Sequence, residues 1–389
     1  MNERRPYAGL RVLDLSQGIA APYCGMLLAH YGADVIKVEP PGGDWMRGLG
    51  AKRGDFSSHS LVYNQGKRSL ALDLKGEGAL DIVYRLAKRS DIVLQSFRPG
   101  VADRLGVGYD DLLAINPALV YLSVSGFGQD GPGSVRPTTD TVVQAFSGLM
   151  HVNPGADGVP HRLGTTIIDA LTGLFAFQAM AVELHGREKG EPGRHLDVDL
   201  MQAASHILAP NIIEHQLSAG QPVTLNAPAG SYRAKDGWIA IALVKEEHYT
   251  RLCNALERDD LATDPRYATF ASRAEHLEGL KAEISDTVAT RDRAEWLERL
   301  RDNDVLANAV NDFSDWLEDP QVLARGAAEP MAQDGLGDLH MPRLPTREAL
   351  SVAVPRIGEH SAEVLTELEY GRAEVAKFIS AGVVTEAEG

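Results

Sequence analysis

A chain of 389 residues has room for two or three domains, and 44% hydrophobic with 24% charged residues is the balance of a globular rather than a disordered protein. The 38 Lys and Arg against 54 Asp and Glu leave a net charge of −16, which argues against nucleic-acid binding but leaves room for an anionic small ligand held by a local cluster of cations. Cys24 and Cys253 form no CxxC pair, and the twelve histidines show no HExxH spacing, so neither a disulfide framework nor a metal site is expected. The opening Met-Asn-Glu-Arg-Arg-Pro lacks the apolar run of a signal peptide, and no window reaches ~18 uninterrupted apolar residues. A cytoplasmic protein with no membrane partner is the expectation.

In chain order, residues 10–15 read as a short buried strand, 22–31 as a helix stopped by Gly32, and 34–38 as a second strand. Residues 69–74 form a third strand, 78–88 a helix, 91–95 a fourth strand, and the bulky, β-branched stretch 119–125 a fifth. Strands separated by helices of about ten to fifteen residues are βαβ units, so the expected fold class is α/β with a parallel, doubly wound sheet. Ligands bind such sheets at the carboxyl ends of the strands. Residues 166–186 make a helix that is apolar on nearly every side, which predicts burial within the protein. A strand at 195–199 and a helix at 200–217 follow, then a linker at 218–230 rich in Gly, Pro, Asn and Ala. Beyond it, a strand at 238–243 and amphipathic helices at 246–257, 275–289 and 293–301 form a smaller, more helical domain. Pro342, Pro345 and Pro355 then lead to a terminal helical region at 361–380.

Three constellations could carry chemistry. Gly126-Phe127-Gly128-Gln129-Asp130-Gly131 matches G-x-G-x-x-G after a strand, but Pro132, Gly133 and Pro137 follow, so no helix opens to receive a pyrophosphate, and a flexible loop is the better reading. Asp169 stands three residues after Thr166 at the start of the apolar helix. One reading is a capping pair; the other is a carboxylate kept ionised by the helix dipole although partly desolvated, which is a usable nucleophile. The third is a run of cations near strand ends: Lys67, Arg68 and Lys75, then Arg98 and Arg104. Each taken singly suits a solvated surface, and together they suit a phosphate ligand. There is no G-x-S-x-G elbow to support a serine hydrolase.

At these residues the chain resembles the class III CoA-transferases, the CaiB/BaiF family of formyl-CoA transferase and carnitine CoA-transferase. The linked motifs are residues 9–15, 32–44, 64–75, 97–100, 104–106, Asn116-Pro117, 125–132, 169–173 and, near the C-terminus, 356–365. The resemblance implies a Rossmann-like large domain (residues 1–217, completed by 335–389), a smaller α+β domain (231–334), and two chains interlocked as a homodimer. It places the catalytic aspartate at Asp169, which would attack the acyl-CoA thioester to give a mixed anhydride and then an aspartyl-CoA thioester. It implies CoA contacts at Gly18, Ile19 and Ala20, then Leu72, Lys75, Phe97 and Arg104, with Asp140 and Arg136 as supporting residues. No tightly bound cofactor or metal is implied; coenzyme A enters as the thioester substrate, with a carboxylic acid as the other partner.

Two departures stand out. Gln95-Ser96 replaces the family's Glu-Asn before Phe97, and no tetraglycine loop occurs near residues 226–231, which argues against oxalate and formate as the substrate pair. The alternative within the family is a 2-methylacyl-CoA racemase. Racemases place a His immediately before the Asp that aligns with Asp140, whereas this chain has Thr139, and His151 or His161 would have to substitute. A non-catalytic acyl-CoA-binding protein is the alternative of another class. An unpaired buried carboxylate beside a thioester opposes it.

Overall fold

The computed structural model describes residues 5–387 except 156, 191, 222, 334 and 346–351. The first four residues, and residue 334 at the expected boundary of the small domain, lie outside the described set. The chain divides into two compact units, one of residues 1–210 and 328–389 and one of residues 211–327.

The first unit is built on six parallel strands, β1 (Arg11–Asp14), β2 (Asp34–Glu39), β3 (Arg68–Leu72), β4 (Ile92–Gln95), β5 (Val120–Ser125) and β6 (His195–Asp199). Their spatial order is β3-β2-β1-β4-β5-β6, with Val384–Thr385 added antiparallel at the β3 edge. Successive side chains of a strand point to opposite faces, and here both faces are apolar. Leu13, Ile36, Leu70, Val93 and Tyr121 join one core, beneath the helices Ala79–Lys88 and Tyr109–Ile115 and the C-terminal helix Ser361–Glu367. Val12, Val35, Ile92, Leu94, Val120 and Leu122 join the other. That second face is covered by α1 (Ala20–His30), α2 (Asp140–Phe146), α3 (Ile167–Glu188) and α4 (Leu200–Ile207). The strand order reverses between β1 and β4, which makes their carboxyl ends the switch point where such sheets open a crevice.

The second unit carries a three-stranded antiparallel sheet of β7 (Gly230–Ala234), β8 (Gly237–Ala242) and β9 (Leu306–Ala309), with β8 in the centre. Tyr232, Ile239 and Ile241 on one face pack against Leu252 and Leu256, Leu280 and Ile284, and Trp296 and Leu300 from three helices. Buried Arg273 braces this unit, donating to the carbonyls of Ala227 and Tyr267 at 2.8 Å each and pairing with Glu246.

Several expected elements are subdivided. The helix expected at 200–217 breaks at Leu208, because Pro210 has no N–H to continue it, and resumes as Ala209–Leu217. Most of that second piece belongs to the second unit. The terminal helical region is two helices, Ser361–Glu367 and Arg372–Ser380, separated by Glu369 in the left-handed region and Gly371. The largest correction concerns α3. All-round apolarity predicts burial, yet only one stripe (Ile168, Thr172, Gly173, Ala176, Met180, Glu183 and Leu184) is buried, and Leu174 and Val182 are exposed. A helix lying on a sheet has one face in contact with it, whatever its composition.

Candidate active site

A cleft of about 430 Å³ opens at the switch point. Its wall comes from the first βα turn (Gln17, Ile19–Ala21), the turn after β4 (Ser96–Pro99), the segment after β5 (Ser134, Arg136, Thr138, Thr139), Trp45 and Asp169. The two central turns are clasped by one side chain: Ser96 Oγ accepts the Gln17 N–H at 2.8 Å and donates to the Gln17 carbonyl at 2.9 Å. Beside it, Gln95 Oε1 accepts the Phe97 N–H at 2.7 Å while its Nε2 donates to Ser123 Oγ at 2.7 Å. Gln-Ser at this position therefore serves the geometry of the turn itself, because an amide can accept and donate at once where a carboxylate only accepts.

Beneath the first turn lies a fully buried set of ion pairs. Lys67 Nζ meets Asp14 Oδ2 at 2.8 Å, Lys37 Nζ meets Asp44 Oδ2 at 2.8 Å, and Arg47 binds Glu39 through both carboxylate oxygens at 2.8 and 2.7 Å. Burial opposes ionisation of Asp14, but the Lys67 and Lys37 charges outweigh it and hold the carboxyl below the usual range. Lys67, expected among ligand-facing cations, is thus a structural residue. Arg68 is another, pairing with Asp34 and Glu367.

Asp169 occupies the first turn of α3 and faces the cleft. The expected capping pair does not form: Thr166 makes no side-chain cap. The first-turn amides are taken by a residue from another helix. Asp140 Oδ2 accepts from Ile168 N–H at 2.7 Å and Asp169 N–H at 3.0 Å, and Asp140 Oδ1 accepts from Gln144 Nε2 at 2.6 Å. Gln144 in turn accepts the Leu163 N–H at 2.9 Å, so α2 fixes the whole approach to Asp169. The positive helix end thereby stabilises Asp140 rather than Asp169. Burial, followed by the neighbouring Asp140 charge, pushes the Asp169 carboxyl up to about 7. The expectation of a dipole-ionised carboxylate is corrected accordingly.

One turn further along α3, Gly173 explains how the helix reaches the cleft. A methyl group there would stand 2.6 Å from the Ala20 carbonyl and 2.8 Å from Tyr23 Cβ, so the missing side chain lets α3 seat directly on the start of α1. The Asp-x-x-x-Gly spacing places carboxyl and contact point on one helix face.

Of the residues expected to bind CoA, Ile19, Ala20 and Phe97 line the cleft, together with Arg136 and Asp169. Gly18 lies beneath it, its N–H held by Asp44 at 3.0 Å. The Leu72 side chain is in the core at 1% exposure and offers nothing to a ligand. Lys75 and Arg104 are exposed and stand outside the cleft lining. Arg98, expected among the cations that suit a phosphate, does line it, and so does Trp45, which no sequence pattern pointed to. Thr139, where racemases carry His, lines the cleft, while His151 and His161 are exposed and outside it, so among the described residues no histidine lines the cleft.

Comparison with known proteins agrees with this architecture. The family model of CoA-transferase family III matches residues 7–361. The chain is 34% identical over 388 residues to a succinate–glutarate CoA-transferase of Agrobacterium fabrum, covering 95% of this chain and 97% of that one. It is also 34% identical over 384 residues to a succinyl-CoA–D-citramalate CoA-transferase of Chloroflexus aurantiacus, with 94% of each covered. A crystal structure of a CaiB/BaiF family protein from Brucella suis aligns with a TM-score of 0.85 and 31% identity, over 94% of this chain and all of that one. The chain, with its doubly wound sheet, belongs to CoA-transferase family III. The protein is a CoA-transferase, and the racemase alternative is not favoured.

Proposed function

We propose that the enzyme moves CoA from an acyl-CoA donor to a carboxylic acid by covalent catalysis at Asp169. The observation that carries this reading is the placement of the Asp169 carboxyl at the wall of the cleft in the first turn of α3, where burial and the Asp140 charge push its pKa up. A raised pKa makes the ionised form more basic and more nucleophilic. Asp169 attacks the thioester carbonyl carbon, the C–S bond breaks, and CoA thiolate leaves behind a mixed anhydride. The thiolate then attacks the aspartyl carbonyl and releases the donor acid, giving aspartyl-CoA thioester. The acceptor carboxylate repeats the sequence in reverse, and no net proton is consumed.

In the same reading, CoA lies along Gly18, Ile19 and Ala20 and past Phe97, with Lys75 and Arg104 toward its phosphates, and succinyl-CoA with a dicarboxylic acceptor is the first substrate pair to test, by analogy with the relatives' names. An interlocked homodimer fits the apolar residues left exposed on α2 and α3, namely Val142, Phe146, Leu174 and Val182. A folded monomer on dilution would overturn the dimer. The function is tested by incubating the enzyme with succinyl-CoA and a panel of carboxylic acids, glutarate included, and following new CoA esters by mass spectrometry. Hydroxylamine added during turnover should modify residue 169. Transfer that proceeds without an Asp169 adduct would overturn the mechanism.

A further inference from the structure

The buried ion pairs under the first βα turn raise the question of what they hold in place, since fully buried pairs add little net stability over apolar replacements of similar volume. One carboxylate answers it. Asp44 accepts the Gly18 N–H at 3.0 Å and the Met46 N–H at 3.0 Å, and Lys37, which also donates to the Ser16 carbonyl, grips its other oxygen at 2.8 Å. The turn that lines the cleft and the short 3-10 helix Trp45–Gly48 are thus tied to the same group. The consequence is the placement of Trp45. Its six-membered ring lies against Gly18, which adopts φ 82° and where a side-chain carbon would overlap the ring. The indole is nevertheless 55% exposed and forms part of the cleft wall beside Ile19, Ala20 and Ala21. A broad, rigid aromatic surface held from below and open on the other side is suited to a ligand contact.

We propose that Trp45 is a ligand-contact residue of this transferase, its indole packing the uncharged pantetheine arm of the acyl-CoA. The inference rests on the reading of the cleft as the acyl-CoA site. The surroundings favour the arm over the nucleotide. The wall around Trp45 is apolar and the charges beneath it are paired off, whereas the cleft's cations, Arg98 and Arg136, stand on the turns after β4 and β5. Methylene and amide groups gain from an apolar ring face, whereas phosphates, directed to Lys75 and Arg104 in that reading, need cations that the wall at Trp45 lacks.

The test uses tryptophan fluorescence and calorimetry with acetyl-CoA, and with adenosine 3′,5′-bisphosphate, which has the nucleotide end but no arm. Acetyl-CoA should change the emission of the wild-type protein and the bisphosphate should not. Trp45→Phe should abolish the change, although the protein has four tryptophans, while keeping affinity within about threefold because the ring is retained. Trp45→Ala should weaken acetyl-CoA about tenfold and leave the bisphosphate unaffected. If Trp45→Ala does not fold, the Trp45→Phe emission result decides alone. The proposal is overturned if Trp45→Phe keeps the full signal, if folded Trp45→Ala binds acetyl-CoA like wild type, or if the bisphosphate gives the same change. A wild-type protein that binds no acetyl-CoA at all would instead overturn the reading of the cleft.

Discussion

Asp140 holds Asp169 by its backbone and opposes it by its charge. The Asp169 N–H donates to Asp140 Oδ2 at 3.0 Å, and the same carboxylate raises the pKa of the Asp169 side chain, second only to burial. One contact therefore fixes the position of the proposed nucleophile and adds to the rise in pKa that burial begins.

The first prediction follows from that coupling. Only ionised Asp169 attacks a thioester, so kcat/KM should fall on the acid side with a midpoint near the carboxyl's value of about 7. Asp140→Asn keeps an oxygen to accept the two amides but removes the charge, so the Asp169 pKa falls and the midpoint should move to lower pH by about one unit. A pH–rate profile of both proteins with a saturating acceptor checks this. An unmoved midpoint would refute the coupling.

Gly173 gives a prediction about position rather than charge. In Gly173→Ala the new methyl meets the Ala20 carbonyl at 2.6 Å, backbone against side chain, so α3 or α1 has to shift. Overpacking of this kind costs about 1–3 kcal/mol, and a displacement near 1 Å at the reacting carboxyl costs about a hundredfold in kcat. Urea unfolding and steady-state rates measure both. A stable variant with full activity would show that close seating of α3 is unnecessary.

The frame was legible in the chain because the period of the strands and their positions between helices are local properties. Val12 and Leu13, or Ile92 and Val93, announce a strand apolar on both faces, and only a parallel sheet between helix layers satisfies that. Within the site, Asp169 and the turn Ile19–Ala20 could be found from motif order. The hydrogen bond from Asp169 to Asp140 spans 29 residues and no spacing encodes it. The same applies to Trp45, whose exposure depends on Asp44, Lys37 and Gly18 meeting in three dimensions. Within the single chain only one stripe of α3 is buried, because composition reports how apolar a helix is and not how many of its sides meet the sheet.

The ion pairs under the turn should behave as a unit. Lys67→Met leaves Asp14 buried at zero exposure without its ion-pair partner, and breaking a buried pair in this way costs about 3–5 kcal/mol. Adding Asp14→Asn removes the stranded charge and should recover a large part of that loss. The double-mutant cycle in urea separates the two cases. A Lys67→Met variant within about 1 kcal/mol of wild type would show that the Ser16 hydrogen bonds and the Lys37 charge suffice for Asp14.

The last prediction concerns stability at Asp169 itself, independent of any assay of turnover. Its carboxyl titrates near 7 in the folded protein and at its ordinary value of 3.8 when unfolded, so between these values the folded state binds more protons. Folding stability at this site must then decline as pH rises through that window, and below it the site makes no demand. Asp169→Asn stays neutral throughout, and it leaves the backbone N–H to Asp140 untouched. The variant should therefore match wild type near pH 4 and exceed it progressively toward pH 8, by about 2–4 kcal/mol, with the open cleft favouring the lower end because water reaches the carboxyl. Denaturant unfolding of both proteins across this range gives the difference directly. The same variant should lose CoA transfer by several orders of magnitude, since an amide cannot form the anhydride. A residue placed for packing alone would lose stability on substitution and show no such pH dependence. A gain in stability that grows with pH, combined with the loss of turnover, is the signature of a carboxylate kept in an unfavourable place for its reactivity.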